Sequence, residues 1–468
     1  MTPPRLLPPE RRPAPRRRVE GPPAAPRRRA ALPEGSPVPP AELWADVFHR
    51  MPLEEAAHPH TPVPIGQRRR RGFDAQATDG RAEVSLVRDD EGLLRWLYTP
   101  PAAPGGNSRR AYRAFTVDRR SVVQSFRFND LGRNEITGKL VDLDAWLTPG
   151  AGMKRWTGAE LIDCPRPDIA PNGAQRTLLL VHGTFSESAM WFKELGATDN
   201  GRALLRHWED RYPHILAFNH PTLSVGAWSN AIDLARELRG VKTPLDVVCH
   251  SRGGLVLSWL LRMQPVPVER AVFVGSPLVG TSLAAPDRLR AGLDMLANYA
   301  ELVAGLGQAV APVMPIASGV AGLSKILGKA LRLGSGLPVV DAAVALVPGL
   351  ATQQHVANNL DLRQLFADDW LTQPDLSGIG VAFQPDESRE PAWKFWRRFS
   401  HLFDQAKYAA ADLVFNGPND LVVDVDSMFR LGKGRHIAFE NLGTSPTLHH
   451  TNYFRDARVL DYLERRLG

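Results

Sequence analysis

The sequence predicts an α/β fold, in which a mostly parallel sheet is covered by helices on both faces. Strand and helix patterns alternate along the chain from residue 175, which is typical of such sheets. Within Leu245–Met263, a short apolar strand runs into the sequence HSRGG at 250–254 and then into an apolar helix pattern. A serine at this sharp turn, Ser251, would stand at a helix N-terminus, where backbone N–H groups can hold a developing negative charge.

Each element of the predicted sheet follows from a short apolar run, and each helix from an apolar stripe at helical spacing. Turn residues and polar clusters separate these segments. The predicted strands are Thr177–Val181, His214–Asn219, Leu245–Cys249, Ala271–Gly275, Ile379–Phe383, Leu413–Val423 with its turn, and His436–Glu440. The predicted helices are Arg202–Tyr212, Ser229–Arg239, the segment from Leu255 and the closing Arg455–Leu467.

Residues 1–40 are predicted to form a disordered, extended arm rich in proline and arginine. They contain thirteen prolines, nine arginines and three glutamates, a net charge of +6 out of +7 for all 468 residues. Such a segment cannot bury enough apolar surface to offset its chain entropy. Because the rest of the chain carries only +1, its charge gives no basis for nucleic-acid binding.

Residues 41–170 are predicted to be rich in β-structure. Glu83–Val87 and Leu93–Tyr98 flank the turn sequence DDEG and predict a hairpin, and Ser121–Phe128 and Gly138–Leu147 are further strand candidates. Two interpretations stay open, a separate small β-domain or the first strands of the following sheet.

A catalytic serine needs a base and an acid, and the chain offers both in the order Ser, Asp, His. Asp420 lies in a turn after a late strand, and His450 lies in the loop after the last strand. We therefore predict that His450 takes the proton from Ser251 and that Asp420 orients the imidazole. Position alone does not exclude the neighbouring candidates Asp424, Asp426 and His449.

The sequence also predicts an oxyanion hole. His182-Gly183-Thr184 follows the first predicted strand of the alternating region. The backbone N–H groups of Thr184 and Arg252 should face the oxyanion of a tetrahedral intermediate, whereas His182 is expected to stabilise the turn. Cys249 stands where a glycine usually precedes the serine of this motif, a departure that leaves the tightness of the turn open.

With these motifs, the chain resembles bacterial lipases and esterases of the α/β-hydrolase superfamily over about 175–468. The motifs are VHGTF at 181–185, CHSRGG at 249–254, GSPLVGT at 275–281, NDLVV at 419–423 and HHTNYF at 449–454. The resemblance implies an α/β-hydrolase domain at 171–468 and favours His450 as the base. It also implies a serine hydrolase that cleaves a carboxylic ester with an apolar acyl group through an acyl-serine. The alternatives are an acyltransferase with the same triad and a non-enzymatic, membrane-associated interaction protein.

Residues 285–375 interrupt the alternation and are predicted to form a helical lid over Ser251. Leu302–Ser324 and Ala342–Leu360 contain no charged residue, but prolines and glycines interrupt both. Since prolines break the backbone hydrogen bonds of a membrane span, short packed helices that line an acyl pocket are expected here. A re-entrant membrane hairpin is the alternative.

The sequence predicts neither a cofactor nor a metal site. It has no H-E-x-x-H motif, and the two histidines His58 and His60 lie in a proline-rich loop. Two cysteines, Cys164 and Cys249, make no disulfide framework. The expected partner is a small-molecule or lipid ester, with peripheral membrane contact through the lid or the basic arm as an option. The segment Met1–Arg18 has no apolar signal region, so a cytoplasmic location is expected.

Overall fold

The structure is a computed structural model, and its central element is an eight-stranded sheet. It describes residues 54–55, 82–89, 94–99, 120–128, 141, 144–145, 147–171, 175–263, 267–282, 348–355, 359–367, 374–384, 417–431 and 435–468. The predicted arm at 1–40 and most of the predicted lid lie outside these residues.

Six strands of this sheet pair in parallel, and two more at one edge pair in antiparallel fashion. The spatial order is β12-β11-β10-β9-β7-β8-β5-β6, and the first six strands in this order pair in parallel. The hairpin of β5 and β6 adds to β8 in antiparallel orientation. The strands are β5 (Gly152–Trp156), β6 (Leu161–Asp163), β7 (Thr177–Val181), β8 (His214–Asn219), β9 (Leu245–His250), β10 (Val268–Val274), β11 (Asp375–Phe383) and β12 (Ala438–Ser445).

Helices cover both faces of the sheet because its strands are apolar on both sides. Along β7, Leu179 packs with one core cluster and Leu178 with the other, as the alternation of side chains along a strand requires. The described α-helices are α1 (Ala189–Gly196), α2 (Asp199–Arg211), α3 (Ala227–Glu237), α4 (Gly253–Met263), α5 (Pro348–Ala351), α6 (Leu360–Leu365) and α7 (Ala457–Leu467). Helices α3, α4 and α6 pack on one face, and α1, α2 and α7 pack on the other.

Four further strands form a separate antiparallel sheet in the order β1-β4-β2-β3. The predicted hairpin is therefore present. The strand predicted at Gly138–Leu147 is wrong, because residues 141, 144, 145 and 147 are helical. The strands are β1 (Glu54–Glu55), β2 (Ala82–Asp89), β3 (Leu94–Thr99) and β4 (Arg120–Phe128).

Asp144 gives the physical reason for this error. Its buried carboxylate accepts hydrogen bonds from the backbone N–H groups of Thr222, Leu223 and Ser224, in the loop after β8. This long-range anchor favours a short helical turn over an extended strand, and the local pattern does not reveal it.

Each strand predicted between 175 and 275 is present to within three residues at either end. Helix α2 begins three residues before its predicted start because the Thr198 hydroxyl caps it by accepting from the Gly201 N–H at 3.1 Å. The described part of the chain contains no helix long and apolar enough to cross a membrane.

Candidate active site

Ser251 lies at a strained turn between β9 and α4. Its φ is 53°, a left-handed conformation that non-glycine residues rarely adopt. A Cβ at Gly253 would lie 2.3 Å from the carbonyl oxygen of Val181, so only glycine permits this approach of helix to strand. Cys249 fits the tight turn as a fully buried side chain, with its Sγ 3.5 Å from the carbonyl oxygen of Val272.

Ser251, His450 and Asp420 form a continuous hydrogen-bonded chain. The Ser251 Oγ lies 2.8 Å from His450 Nε2, and His450 Nδ1 lies 2.8 Å from Asp420 Oδ2. All three residues are buried. These distances are within the reach required for a nucleophile, a general base and a group that orients the base.

The turn around Asp420 fixes both carboxylate oxygens. Oδ1 accepts from the backbone N–H groups of Val422 and Val423 at 3.1 and 2.8 Å. Oδ2 accepts from the Tyr453 hydroxyl at 2.9 Å as well as facing His450. The backbone N–H of His450 donates to the Asp420 carbonyl at 3.1 Å, so the turn also holds the main chain of the histidine.

The competing candidates lie apart from this chain of hydrogen bonds. His449 Nδ1 is 3.1 Å from the Thr451 hydroxyl, and burial lowers the pKa of His449 to about 3. Asp424 accepts from the Ser282 N–H at 3.0 Å, and Asp426 pairs with Arg430 at the surface. The structure therefore joins Ser251 to His450 and Asp420.

The His182-Gly183-Thr184 turn lies directly against Ser251. A Cβ at Gly183 would be 2.6 Å from the Ser251 Cβ and 3.1 Å from its Oγ. His182 holds this turn as expected: its Nε2 accepts from the His220 N–H at 3.0 Å, so its Nδ1 carries the proton and donates to the Gly183 carbonyl at 2.9 Å. Burial lowers the pKa of His182 to about 3, which keeps the ring neutral in this role.

The charged side chain of Arg252 is fully buried. Its Nη2 donates to the Val225 carbonyl at 2.8 Å and to Asn230 Oδ1 at 2.7 Å. Burial lowers the pKa of Arg252 to about 10, against the raising effect of Asp144. Through Nη2 the guanidinium thus ties the start of α4 to α3 and to the loop before it.

Three contributors were not singled out from the sequence. The Tyr453 hydroxyl donates to Asp420, and His250 Nε2 lies 2.9 Å from the His450 carbonyl oxygen, which ties His450 to β9. Gln353 Oε1 accepts from the Thr184 hydroxyl at 3.0 Å. The position of Tyr453 in HHTNYF and of His250 beside the serine were available signals, whereas Gln353 is 169 residues from its partner. Within the described ranges, no three His, Cys, Asp or Glu side chains are grouped to hold a metal ion.

Comparison with known protein families gives a match that includes the eight-stranded sheet and the site. The model of a family described as "Domain of unknown function (DUF7379)" matches residues 149–468. A search of curated protein sequences finds no match.

Several solved structures are similar to the chain. Mature lipase BlEst2 of Bacillus licheniformis is 18% identical, with 64% of this chain and 96% of that chain covered and a TM-score of 0.37. Lipase 1 of Pelosinus fermentans is 14% identical, with 63% and 99% covered and a TM-score of 0.36. The Cif epoxide hydrolase of Acinetobacter nosocomialis is 10% identical, with 72% and 97% covered and a TM-score of 0.35.

The mostly parallel sheet with helices on both faces, which the sequence predicts, is confirmed. The chain has an α/β-hydrolase fold: a mostly parallel sheet, helices on both faces, and a serine at the strand-to-helix turn after β9.

Proposed function

The chain belongs to the DUF7379 family, and we propose that it is a serine hydrolase that cleaves carboxylic esters with an apolar acyl group. The observation that carries this proposal is the chain of two 2.8 Å contacts from Ser251 through His450 to Asp420. A serine hydroxyl is a poor nucleophile at neutral pH, and an adjacent oriented base activates it.

In the proposed reaction, Ser251 Oγ attacks the carbonyl carbon of the ester while His450 Nε2 takes the hydroxyl proton. His450 then donates this proton to the leaving alkoxide, which departs as an alcohol and leaves an acyl-serine. Water, deprotonated by His450, attacks the acyl-serine, and collapse of the second tetrahedral intermediate returns the proton to Ser251 and releases the acid. Asp420 keeps the Nδ1–H tautomer and stabilises the imidazolium that forms in each step.

The oxyanion of both tetrahedral intermediates would accept hydrogen bonds from the backbone N–H groups of Thr184 and Arg252. The contact of Gly183 with Ser251 supports this role, since it puts the start of the turn beside the attacking oxygen. Fixed N–H donors in a buried site need no reorganisation when charge develops, and each donor contributes about 10²–10³-fold to the rate.

The preference for an apolar acyl group rests on the sequence between β10 and β11. Two long uncharged segments, Leu302–Ser324 and Ala342–Leu360, occur there. Pro348–His355 belongs to the second of them, and its Gln353 reaches the turn beside Ser251. Apolar side chains at this position would surround an acyl chain and exclude water from the acyl-enzyme.

The test is hydrolysis of p-nitrophenyl esters with acyl chains of two, four and eight carbons. We expect turnover by the wild type and a loss of at least about 10⁴-fold in Ser251→Ala. The matched control is Ser258→Ala, since Ser258 is a buried serine of the following helix α4 whose hydroxyl donates to the Gly254 carbonyl. It should retain activity within about threefold, because the hydroxyl that this change removes does not contact the reacting atoms.

Added glycerol or methanol distinguishes hydrolysis from acyl transfer. Free acid as the main product in their presence supports a hydrolase, whereas an ester of the added alcohol as the main product supports an acyltransferase. Equal turnover by wild type and Ser251→Ala would contradict the proposal.

A further inference from the structure

We infer that Gln353 is a positioning residue for the turn His182-Gly183-Thr184, which we call the oxyanion turn. Gln353 lies between β10 and β11 in the sequence and holds the side chain of Thr184. The inference rests on the proposed function for its catalytic meaning, but the contact stands by itself. The Thr184 hydroxyl donates to Gln353 Oε1 at 3.0 Å, and Gln353 Nε2 donates to the Gly349 carbonyl at 2.7 Å. Both ends of the Gln353 amide are therefore satisfied by this arrangement.

Gln353 is itself held rigidly by its neighbours. Its carbonyl accepts from the Thr281 N–H at 2.9 Å, and its N–H donates to the Leu350 carbonyl at 3.0 Å. Its side chain is buried, which makes an unpaired amide group there costly. The hydrogen bond to Thr184 thus joins the oxyanion turn to a fixed support and not to a loose surface side chain.

The backbone around Gln353 is packed against two other loops of the site. A Cβ at Gly349 would lie 1.9 Å from the Thr222 carbonyl oxygen, and the Gly349 N–H donates to the Leu223 carbonyl at 2.9 Å. On the other side, a Cβ at Gly280 would lie 2.1 Å from the Gln354 carbonyl oxygen. Only glycine allows such close backbone approaches, so Pro348–His355 is clamped between the loops that follow β8 and β10.

This packing makes Pro348–His355 a fixed support for the oxyanion turn and not a movable lid. The turn that carries Thr184 is tied to the next loop through the Phe185 N–H, which donates to the Thr222 hydroxyl at 3.3 Å. Gln353 supplies a further tie, at the side chain of Thr184 itself. Because misplacement of a catalytic group by about 1 Å can cost about 10²-fold in rate, loss of this tie should lower kcat.

The experiment compares Gln353→Met with Thr184→Val and with the double variant. Each single change removes one partner of the hydrogen bond while retaining approximate side-chain size. We expect each to lower kcat on p-nitrophenyl butyrate about tenfold with less than threefold change in KM. The double variant should be no slower than the slower single variant, because both changes break the same contact.

Two further variants separate positioning from general structure. Thr184→Ser keeps a hydroxyl and should recover most of the kcat lost in Thr184→Val. Gln354→Met changes the neighbouring glutamine, which is equally buried but whose side chain does not bind Thr184, and should leave kcat within about twofold. Multiplicative losses in the double variant, or an unchanged kcat in Gln353→Met, would overturn the inference.

Hydrogen exchange tests the tie without relying on turnover. In Gln353→Met the amides of residues 184–186 should exchange at least about tenfold faster than in the wild type, whereas Gln354→Met should leave them unchanged. If the wild type hydrolyses no ester but exchange accelerates, the proposed function fails while the positioning contact is supported. Unchanged exchange in Gln353→Met, with the wild type active, overturns the contact's role and leaves the proposed function standing.

Discussion

Replacing Asp420 with asparagine should nearly abolish catalysis while it preserves the fold, because the turn decides which way the new amide points. The oxygen at the Oδ1 position accepts two backbone N–H groups, at 3.1 and 2.8 Å. An NH₂ group there would leave both donors without an acceptor, at a cost of about 1–3 kcal/mol for each buried group. The asparagine oxygen is therefore expected at this position, and its NH₂ group at the Oδ2 position, facing His450 and Tyr453.

This orientation forces the wrong tautomer on the base. An asparagine N–H donor 2.8 Å from His450 Nδ1 makes Nδ1 an acceptor, so that Nε2 carries the proton and cannot take another from Ser251. The loss of the correct tautomer and of the negative charge should lower kcat about 10³–10⁴-fold, which corresponds to about 4–5.5 kcal/mol of barrier. Since the backbone hydrogen bonds persist, the free energy of unfolding should change by less than about 2 kcal/mol.

The assay is steady-state hydrolysis of p-nitrophenyl butyrate, with unfolding by urea as the measure of stability. Asp424→Asn is the matched control, because Asp424 lies in the same loop but accepts from the Ser282 N–H. It should keep kcat within about threefold, since it changes a carboxylate that does not face His450. A kcat of Asp420→Asn within tenfold of the wild type, in a folded protein, would refute the tautomer argument.

Two other predictions concern packing and pH. Gly183→Ala should lower kcat at least about 10²-fold, because its Cβ would lie 2.6 Å from the Ser251 Cβ. The control Gly196→Ala, whose Cβ would have no atom within 4 Å, should leave kcat unchanged. Equal kcat values for the two variants would contradict this prediction. Burial lowers the pKa of His182 and of His449 to about 3, so below pH 6.5 the unfolded chain binds protons that the native protein does not. The free energy of unfolding therefore decreases as the pH is lowered. These two residues should contribute about 2 kcal/mol each to the loss of stability between pH 7.5 and 5, and burial also lowers the pKa of His220 and His250, so urea unfolding should show a total loss of at least about 4 kcal/mol. His449→Gln should reduce that loss by about 2 kcal/mol, and a pH-independent free energy of unfolding would contradict this.

The parallel sheet and the order of the site residues could be read from the sequence because both depend on local patterns. Buried parallel strands are nearly continuous apolar runs, as β7 and β9 are, and all their residues are buried. The sharp turn at Ser251 needs a small residue at 253, which the sequence displays. The sequence pattern left His449 open and the family resemblance favoured His450, which the structure joins to Asp420 and Ser251.

The features that the sequence could not reveal depend on contacts between distant segments. Asp144 takes its conformation from three N–H groups of the loop after β8, which overrides the local strand pattern. Gln353 lies in an apolar stretch whose composition predicted a lid, yet its amide is used by Thr184 and Gly349. Short-range periodicity carries no information on such pairings, because the partners are brought together only by the completed sheet.

The most direct test of the central claim is reaction of the protein with a fluorophosphonate, followed by mass mapping of the modified residue. The nucleophile forms a stable phosphonyl ester with such a reagent, so the account predicts stoichiometric modification of Ser251 and none elsewhere in the chain. Ser251→Ala should show no modification, and Asp420→Asn should react at least about 10²-fold more slowly than the wild type. Modification of a different residue, or a wild type that stays unmodified while folded, would contradict the assignment of Ser251 as an activated nucleophile.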